Sequence, residues 1–188
     1  ANDGTCSGGP GGRDARIGPN GAGKTSFVNL LAGVLTPGAG HVYLDGKDGT
    51  NWPGHMRARA GVSRTFQINQ LFAEFTPLET MGLALSEARA EGAQFWRRVG
   101  THRNIVDEAV SILERLDLGD VMEERVGSLP YGKQRLLEIA IAIAPNPKVL
   151  LLDEPAAGVP EGEREQILQI VEALPQEMAL VLIEHDMD

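Results

Sequence analysis

The stretch Gly18-Pro19-Asn20-Gly21-Ala22-Gly23-Lys24-Thr25 constrains this chain more than any other. Glycines at this spacing let backbone amides curl around phosphate oxygens, and a helix starting directly behind them points its positive end at the anion. Lys24 would reach the β- and γ-phosphates, and the Thr25 hydroxyl would be a ligand of the nucleotide's Mg²⁺, with Ser26 beside it in the first turn. A glycine turn capping an ordinary helix is the competing reading, and Lys24-Thr25 immediately after Gly23 argues against it. Phe27, Leu30, Leu31, Val34 and Leu35 recur at the spacing of one buried face, so the helix is expected to run on to Thr36-Pro37-Gly38.

The second strong element is Val149-Leu150-Leu151-Leu152-Asp153-Glu154-Pro155. A short continuous apolar run of this kind reads as a strand buried on both faces of a parallel sheet. Its carboxylates then lie at the strand's C-terminal end, where open α/β sheets bind ligands. Asp153 would hold Mg²⁺ or its water, and Glu154 would orient the water that attacks the γ-phosphate. Met178 to Ile183 is a second such run, and His185 after it would emerge on the same sheet edge as Glu154. Further strands are expected over His41–Asp45 and leading into Gln67. Helices are expected over Pro77–Glu91, through Ile105, Ala109, Ile112, Leu113 and Leu116, over Lys133–Ala144 with Leu136, Ile139, Ala140 and Ile143 inward, and over Glu161–Leu174. The fold class is therefore α/β: a P-loop NTPase core with a mainly parallel sheet plus a helical lobe.

With these residues in place, the chain resembles the ATP-binding cassette (ABC) family and, within it, the ATP-binding subunits of branched-chain amino acid importers, over roughly residues 17–188. On that resemblance Gln67, in Ser63-Arg64-Thr65-Phe66-Gln67, is the glutamine-loop residue that reaches the metal and links the site to a membrane partner. Leu129-Pro130-Tyr131-Gly132-Lys133, with Ser128 before it, occupies the place of the signature sequence. Ala156-Ala157-Gly158-Val159 matches a dimer-contact loop, and His185 the switch histidine that bonds the γ-phosphate. The resemblance implies a second ATP-binding subunit, identical or related, whose signature helix closes on this chain's ATP. It also implies transmembrane permease subunits, docked near Leu71–Pro77 with Phe72 and Phe75 as anchors. The core lobe would be 17–67 with 145–188, and the helical lobe 68–144, with Phe95-Trp96 as a packing anchor.

Two residues depart from the wider family's pattern. Pro130 stands where a serine hydroxyl is usual and lacks an N–H, so phosphate contacts would come from Gly132, Lys133 or Ser128. Lys133 stands where glutamine is usual, adding charge near the phosphates unless it is simply a solvated first-turn lysine. A soluble cassette ATPase of translation or repair, and an inactive nucleotide-binding module, are the competing functions.

Composition narrows the setting. No apolar run approaches the ~20 residues of a membrane span, so contact with a membrane would come through the permease at the inner face of the cell membrane. A net charge of −9 argues against general nucleic-acid binding, and the single Cys6 rules out an internal disulfide and suits a reducing cytoplasm. Residues 1–16, rich in Gly and polar residues, are expected to be a disordered or foreign leader. Only Ile17 would then remain of the strand entering the phosphate loop, and the chain would be an internal fragment of a longer subunit.

Overall fold

A computed structural model of the chain describes the backbone of residues 12–18, 24–65, 73–89 and 99–185, and the side chains of these except 13–25, 99–103, 184 and 185. The chain divides into two compact units. The first draws on residues through Arg64, on Pro147–Glu154 and on the chain from Leu174 onward; the second draws on Thr65–Asn146 and Pro155–Ala173. The largest departure of this division from the expected lobes is that Pro155–Ala173 groups with the helices rather than with the sheet; the lobe boundaries also move by two or three residues, to Arg64 and Pro147.

The first unit is built on a sheet of four strands, β1 (Arg13–Gly18), β4 (Val62–Arg64), β5 (Val149–Asp153) and β6 (Ala179–His185), in the order β1-β6-β5-β4. All three pairings are parallel. Parallel strands need crossovers and are covered on both faces, which is why β5 reads as an uninterrupted apolar run and Leu150, Leu151 and Leu152 are all 0% exposed. Helix α1 (Lys24–Leu31) contributes Val28 to a core with Val62, Leu151, Val181 and Ile183. A separate two-stranded hairpin, β2 (Tyr43–Leu44) with β3 (Lys47–Asp48), stands where one longer strand over His41–Asp45 was expected. Asp45 and Gly46 both take positive φ, 53° and 72°, the pairing that a two-residue hairpin turn requires.

Two expectations are corrected in this unit. Residues 13–16 are not a disordered leader: they belong to β1, whose Arg13 to Gly18 pair in register with Leu180 to His185 of β6. A strand entering the phosphate loop is therefore present, its backbone paired in register with β6. The helical face also does not continue to Leu35. Gly33, at φ 73°, turns the chain out of α1, and the amides of Val34 and Leu35 fold back onto the Asn29 carbonyl. Val34 and Leu35 are left 63% and 45% exposed.

α1 is closed from below by Arg57 of the short helix α2 (Gly54–Arg59). Its guanidinium donates to the carbonyls of Leu30, Leu31, Thr50 and Trp52, so a buried cation sits at the negative end of the helix.

The second unit is helical, with α3 (Pro77–Ala88), α4 (Val99–Arg115), α5 (Tyr131–Ile143) and α6 (Glu161–Glu172). α3 opens with a capping box, Thr76 accepting from the Glu79 amide while Glu79 accepts from the Thr76 amide, and Pro77 fills the first helical position. It ends at Ala88, short of the expected Glu91. On α4 the expected face is buried: Ile105, Ala109, Ile112 and Leu113, with Leu116 just beyond. α5 begins at Tyr131 rather than Lys133, so Gly132 lies inside the first turn. Leu136, Ile139 and Ala140 are buried as expected, and Ile143 is half-buried. Among the described residues no helix is long and apolar enough to cross a membrane.

Candidate functional site

The C-terminal edge of the parallel sheet collects the candidate nucleotide residues of the first unit. Gly18, which ends β1 and opens the phosphate loop, is the register partner of His185 at the end of β6. One strand further on, Asp153 is the register partner of Ile183, and the Glu154 amide donates to the Ile183 carbonyl at 2.8 Å. The backbone therefore brings the loop entrance, the carboxylate pair and the histidine to adjacent positions on one edge, where crossover helices leave a crevice for ligands. Glu154 sits at φ 52°. A non-glycine residue in the left-handed region costs of order 1–3 kcal/mol and marks a turn that the surrounding structure holds in place.

Asp153 makes its polar contacts unevenly. Oδ2 accepts from Arg64 Nη2 at 3.1 Å, while Oδ1 is buried without a hydrogen-bond partner. A hard, anionic oxygen left over in this way is what Mg²⁺ accepts as a ligand, together with waters and phosphate oxygens. The donor set therefore fits Mg²⁺.

Pro19, Asn20, Gly21, Ala22, Gly23 and Gln67 lie outside the described residues, as do Phe72 and Phe95-Trp96 of the expected docking and packing anchors. Lys24 and Thr25 form the first turn of α1 and His185 the last residue of β6, with backbone only described. Ser26 is exposed on that first turn, and Phe75 is 39% exposed.

In the second unit the signature residues open α5. Pro130, with φ −53° and ψ 147°, precedes the helix and offers no side-chain cap, and its carbonyl accepts from the Gln134 amide. The amides of the first turn have no acceptor within a helix, so an uncapped start leaves donors aimed outward. The Ser128 hydroxyl donates to the Arg125 carbonyl, and Gln134 Nε2 donates to the Leu129 carbonyl.

Lys133 is not a solvated lysine. Its ammonium donates to the Asp117 carbonyl, to Asp117 Oδ2 and to Asp120 Oδ1. Burial pulls its pKa down, but the two aspartates outweigh that and hold it above the ordinary value. In this conformation the Lys133 ammonium is committed to its own unit, so any phosphate contact of the turn would fall to backbone amides. Gly132 is buried, and a Cβ there would overlap the Glu163 carboxylate of α6. The two elements border a cleft of about 240 Å³ also lined by Asp117, Pro130, Lys133 and Gln166.

Several contacts carry no sequence motif and were missed by sequence reasoning. The Tyr131 ring lies under the Arg135 guanidinium at 4.9 Å and against Gly158, so the signature turn touches the segment Ala156-Ala157-Gly158-Val159 directly. Arg135 in turn pairs with Glu138 at 2.7 Å in a buried salt bridge. The positive φ of Gly158, 73°, beside an aromatic ring is the only local signal that a bulky residue was excluded there. Arg57 and Arg64, both charged groups inside the sheet unit, were likewise unanticipated.

Comparison with known proteins places this geometry. The ABC transporter family profile matches residues 7–157. The chain is 39% identical, over 182 residues, to the high-affinity branched-chain amino acid transport ATP-binding protein BraF of Pseudomonas aeruginosa, covering 91% of this chain and 70% of the relative. It is 37% identical over 180 residues to the LivG protein of the same description from Escherichia coli K12, again covering 91% and 70%. Among solved structures, the ADP conformation of MJ1267, an ATP-binding cassette of an ABC transporter, superposes with a TM-score of 0.79 at 32% identity, covering 95% of this chain and 72% of that one. The chain belongs to the ABC transporter family, as an ATP-binding, ATP-hydrolysing cassette that drives transport.

Proposed function

We propose that this chain powers an importer of branched-chain amino acids, binding Mg-ATP at the C-terminal edge of its sheet and hydrolysing it in a dimer of cassettes. The observation that carries the catalytic part is the adjacency of Gly18, Asp153, Glu154 and His185 along β1, β5 and β6. Branched-chain amino acids are supported by the BraF and LivG relatives, at 39% and 37% identity.

In this reading the amides of the loop from Gly18 to Gly23, other than the N–H-less Pro19, and the Lys24 ammonium hold the β- and γ-phosphates. Thr25 and Asp153 hold the metal, with Gln67 at its margin. Bound with the nucleotide, Mg²⁺ would neutralise charge on the β- and γ-phosphate oxygens. Glu154 accepts a hydrogen bond from the attacking water and sets it in line with the γ-phosphorus, and His185 donates to the γ-phosphate. The amides of Gly132 and Lys133 complete the second cassette's site from across the dimer, a role suited to a helix start that lacks a side-chain cap. Permease subunits would hold the dimer at the inner face of the membrane. A solved relative of lower identity, MJ0796, is described as dimeric with ADP and Pi, and BraF as a transport protein.

The test is Glu154→Gln. Replacing the carboxylate by an amide removes the water's acceptor without changing shape, so ATP affinity should stay within about twofold while turnover falls by the 10²–10⁴-fold that a positioned base contributes. Turnover like that of the wild type would remove Glu154 from this role.

A further inference from the structure

Arg64 ends β4 beside the carboxylate strand, its register partner Leu151 lying two residues before Asp153. Its fork spans two elements. Nη1 donates to Asn29 Oδ1 at 2.5 Å, and Nη2 donates to Asp153 Oδ2 at 3.1 Å. Asn29 lies one helical turn beyond Thr25 on α1, so the guanidinium ties the phosphate-loop helix to the carboxylate strand.

We infer that Arg64 is the positioning residue of the metal site, clamping Asp153 through Oδ2 and anchoring it on Asn29 so that Oδ1 remains as a single fixed ligand for the nucleotide's divalent cation. This rests on the reading of Asp153 as a metal ligand proposed above.

The energetics favour such a role over a purely structural one. Arg64 and Asp153 have side chains only 18% exposed, and a buried ion pair repays its desolvation only when its remaining donors and acceptors are satisfied. Here they are not: Arg64 Nε and Asp153 Oδ1 are both buried and unpartnered. A leftover acceptor is a cost to the pair alone and a benefit once a cation arrives. The two-pronged geometry also explains the residue type. An ammonium has three freely rotating donors on a flexible stem and fixes the orientation of two partners poorly, whereas a guanidinium presents its donors in a rigid planar fork.

The test measures Mn²⁺ binding, by loss of the free-ion EPR signal, with the protein in excess over ATP. ATP affinity in EDTA is measured in parallel, for the wild type and for Arg64→Met, Arg64→Lys and Asn29→Ala. Partners of metal ligands typically control affinity by 10–100-fold. Arg64→Met should therefore weaken Mn²⁺ by at least about tenfold while metal-free ATP affinity stays within about twofold. Arg64→Lys should not restore it, and Asn29→Ala should shift it the same way by less. Wild-type Mn²⁺ affinity in Arg64→Met would overturn the inference, as would parallel loss of metal-free ATP binding, which marks a structural role. Full rescue by lysine would leave charge alone as the cause and overturn the clamp. A wild-type protein that binds ATP but gains nothing from Mn²⁺ would instead overturn the metal assignment on which the inference rests.

Discussion

Arg57 supports the nucleotide site from a distance, and its removal is predicted to be among the more costly changes in the sheet unit. The residue is 1% exposed, yet no carboxylate faces its guanidinium among the contacts described. It donates at 2.9 Å to Leu31, at 3.0 Å to Thr50, at 3.2 Å to Trp52, and closely to Leu30, all backbone carbonyls. Burial lowers its pKa, but a guanidinium stays protonated throughout the usable range. Arg57→Met keeps the apolar stem and removes every donor. Hydrogen bonds to a charged group contribute about 1.5–3 kcal/mol each. Against that, the variant no longer buries a cation, and water can reach the carbonyls near half-buried Trp52. A net loss of about 3 kcal/mol follows, which in a chain of this size lowers Tm by about 6–12 °C. Lysine, reaching one or two of the carbonyls, should recover less than half. Calorimetric unfolding of the three proteins reads this directly. A Tm for Arg57→Met within about 2 °C of the wild type would refute the claim that Arg57 caps the phosphate-loop helix.

Two further predictions concern the signature turn. Lys133 has a raised pKa through Asp117 and Asp120, so its stabilisation is fully present below the ordinary lysine value of 10.5 and is lost as pH rises through the higher folded value. The stability difference between the wild type and Lys133→Met, about 1 kcal/mol or less for so exposed a pair of acids, should be flat from pH 6 to 9 and vanish only above that value; a difference that disappears near pH 7 would contradict it. Gly132→Ala places a methyl against the tip of the Glu163 side chain, which is free to swing aside, so unfolding free energy should change by no more than about 1 kcal/mol. Turnover should nonetheless drop at least about tenfold if the Gly132 amide serves the partner's phosphate, and retained turnover would take the residue out of the site.

What the sequence made legible follows from which physics leaves a trace in residue order. β5 announces itself because a strand buried on both faces must be continuously apolar, and the face of α4 because one side of a helix repeats. β1 left a weaker trace: only Ala15 and Ile17 alternate with Asp14 and Arg16, too short a pattern to announce a strand, while the backbone pairs in register with β6. The overextended reading of α1 has the same root. Val34 and Leu35 keep the helical period, but Gly33 leaves the helix, and the exposure of both residues is decided by that turn. The motif residues Gly18, Asp153, Glu154 and His185 fall on one sheet edge as the motif order implies. The arginines that brace it are invisible beforehand, because their partners, the carbonyls of α1 and the side chains of Asn29 and Asp153, are distant in sequence. Lys133 shows the limit from the other side, since residue order offers only a charge near phosphate or a solvated first-turn lysine, and the two aspartates of its own unit that claim it are distant in sequence.

The most direct test of the nucleotide site is thermal unfolding with and without Mg-ATP, for the wild type and for Lys24→Ala. A ligand bound only by the folded chain adds about 2.7 kcal/mol at a hundredfold excess over Kd, or about 5–11 °C in a protein of this size. The account predicts a shift of that order in the wild type and its loss in Lys24→Ala. An unshifted wild type, or an equal shift in both proteins, would contradict the placement of ATP on the phosphate loop.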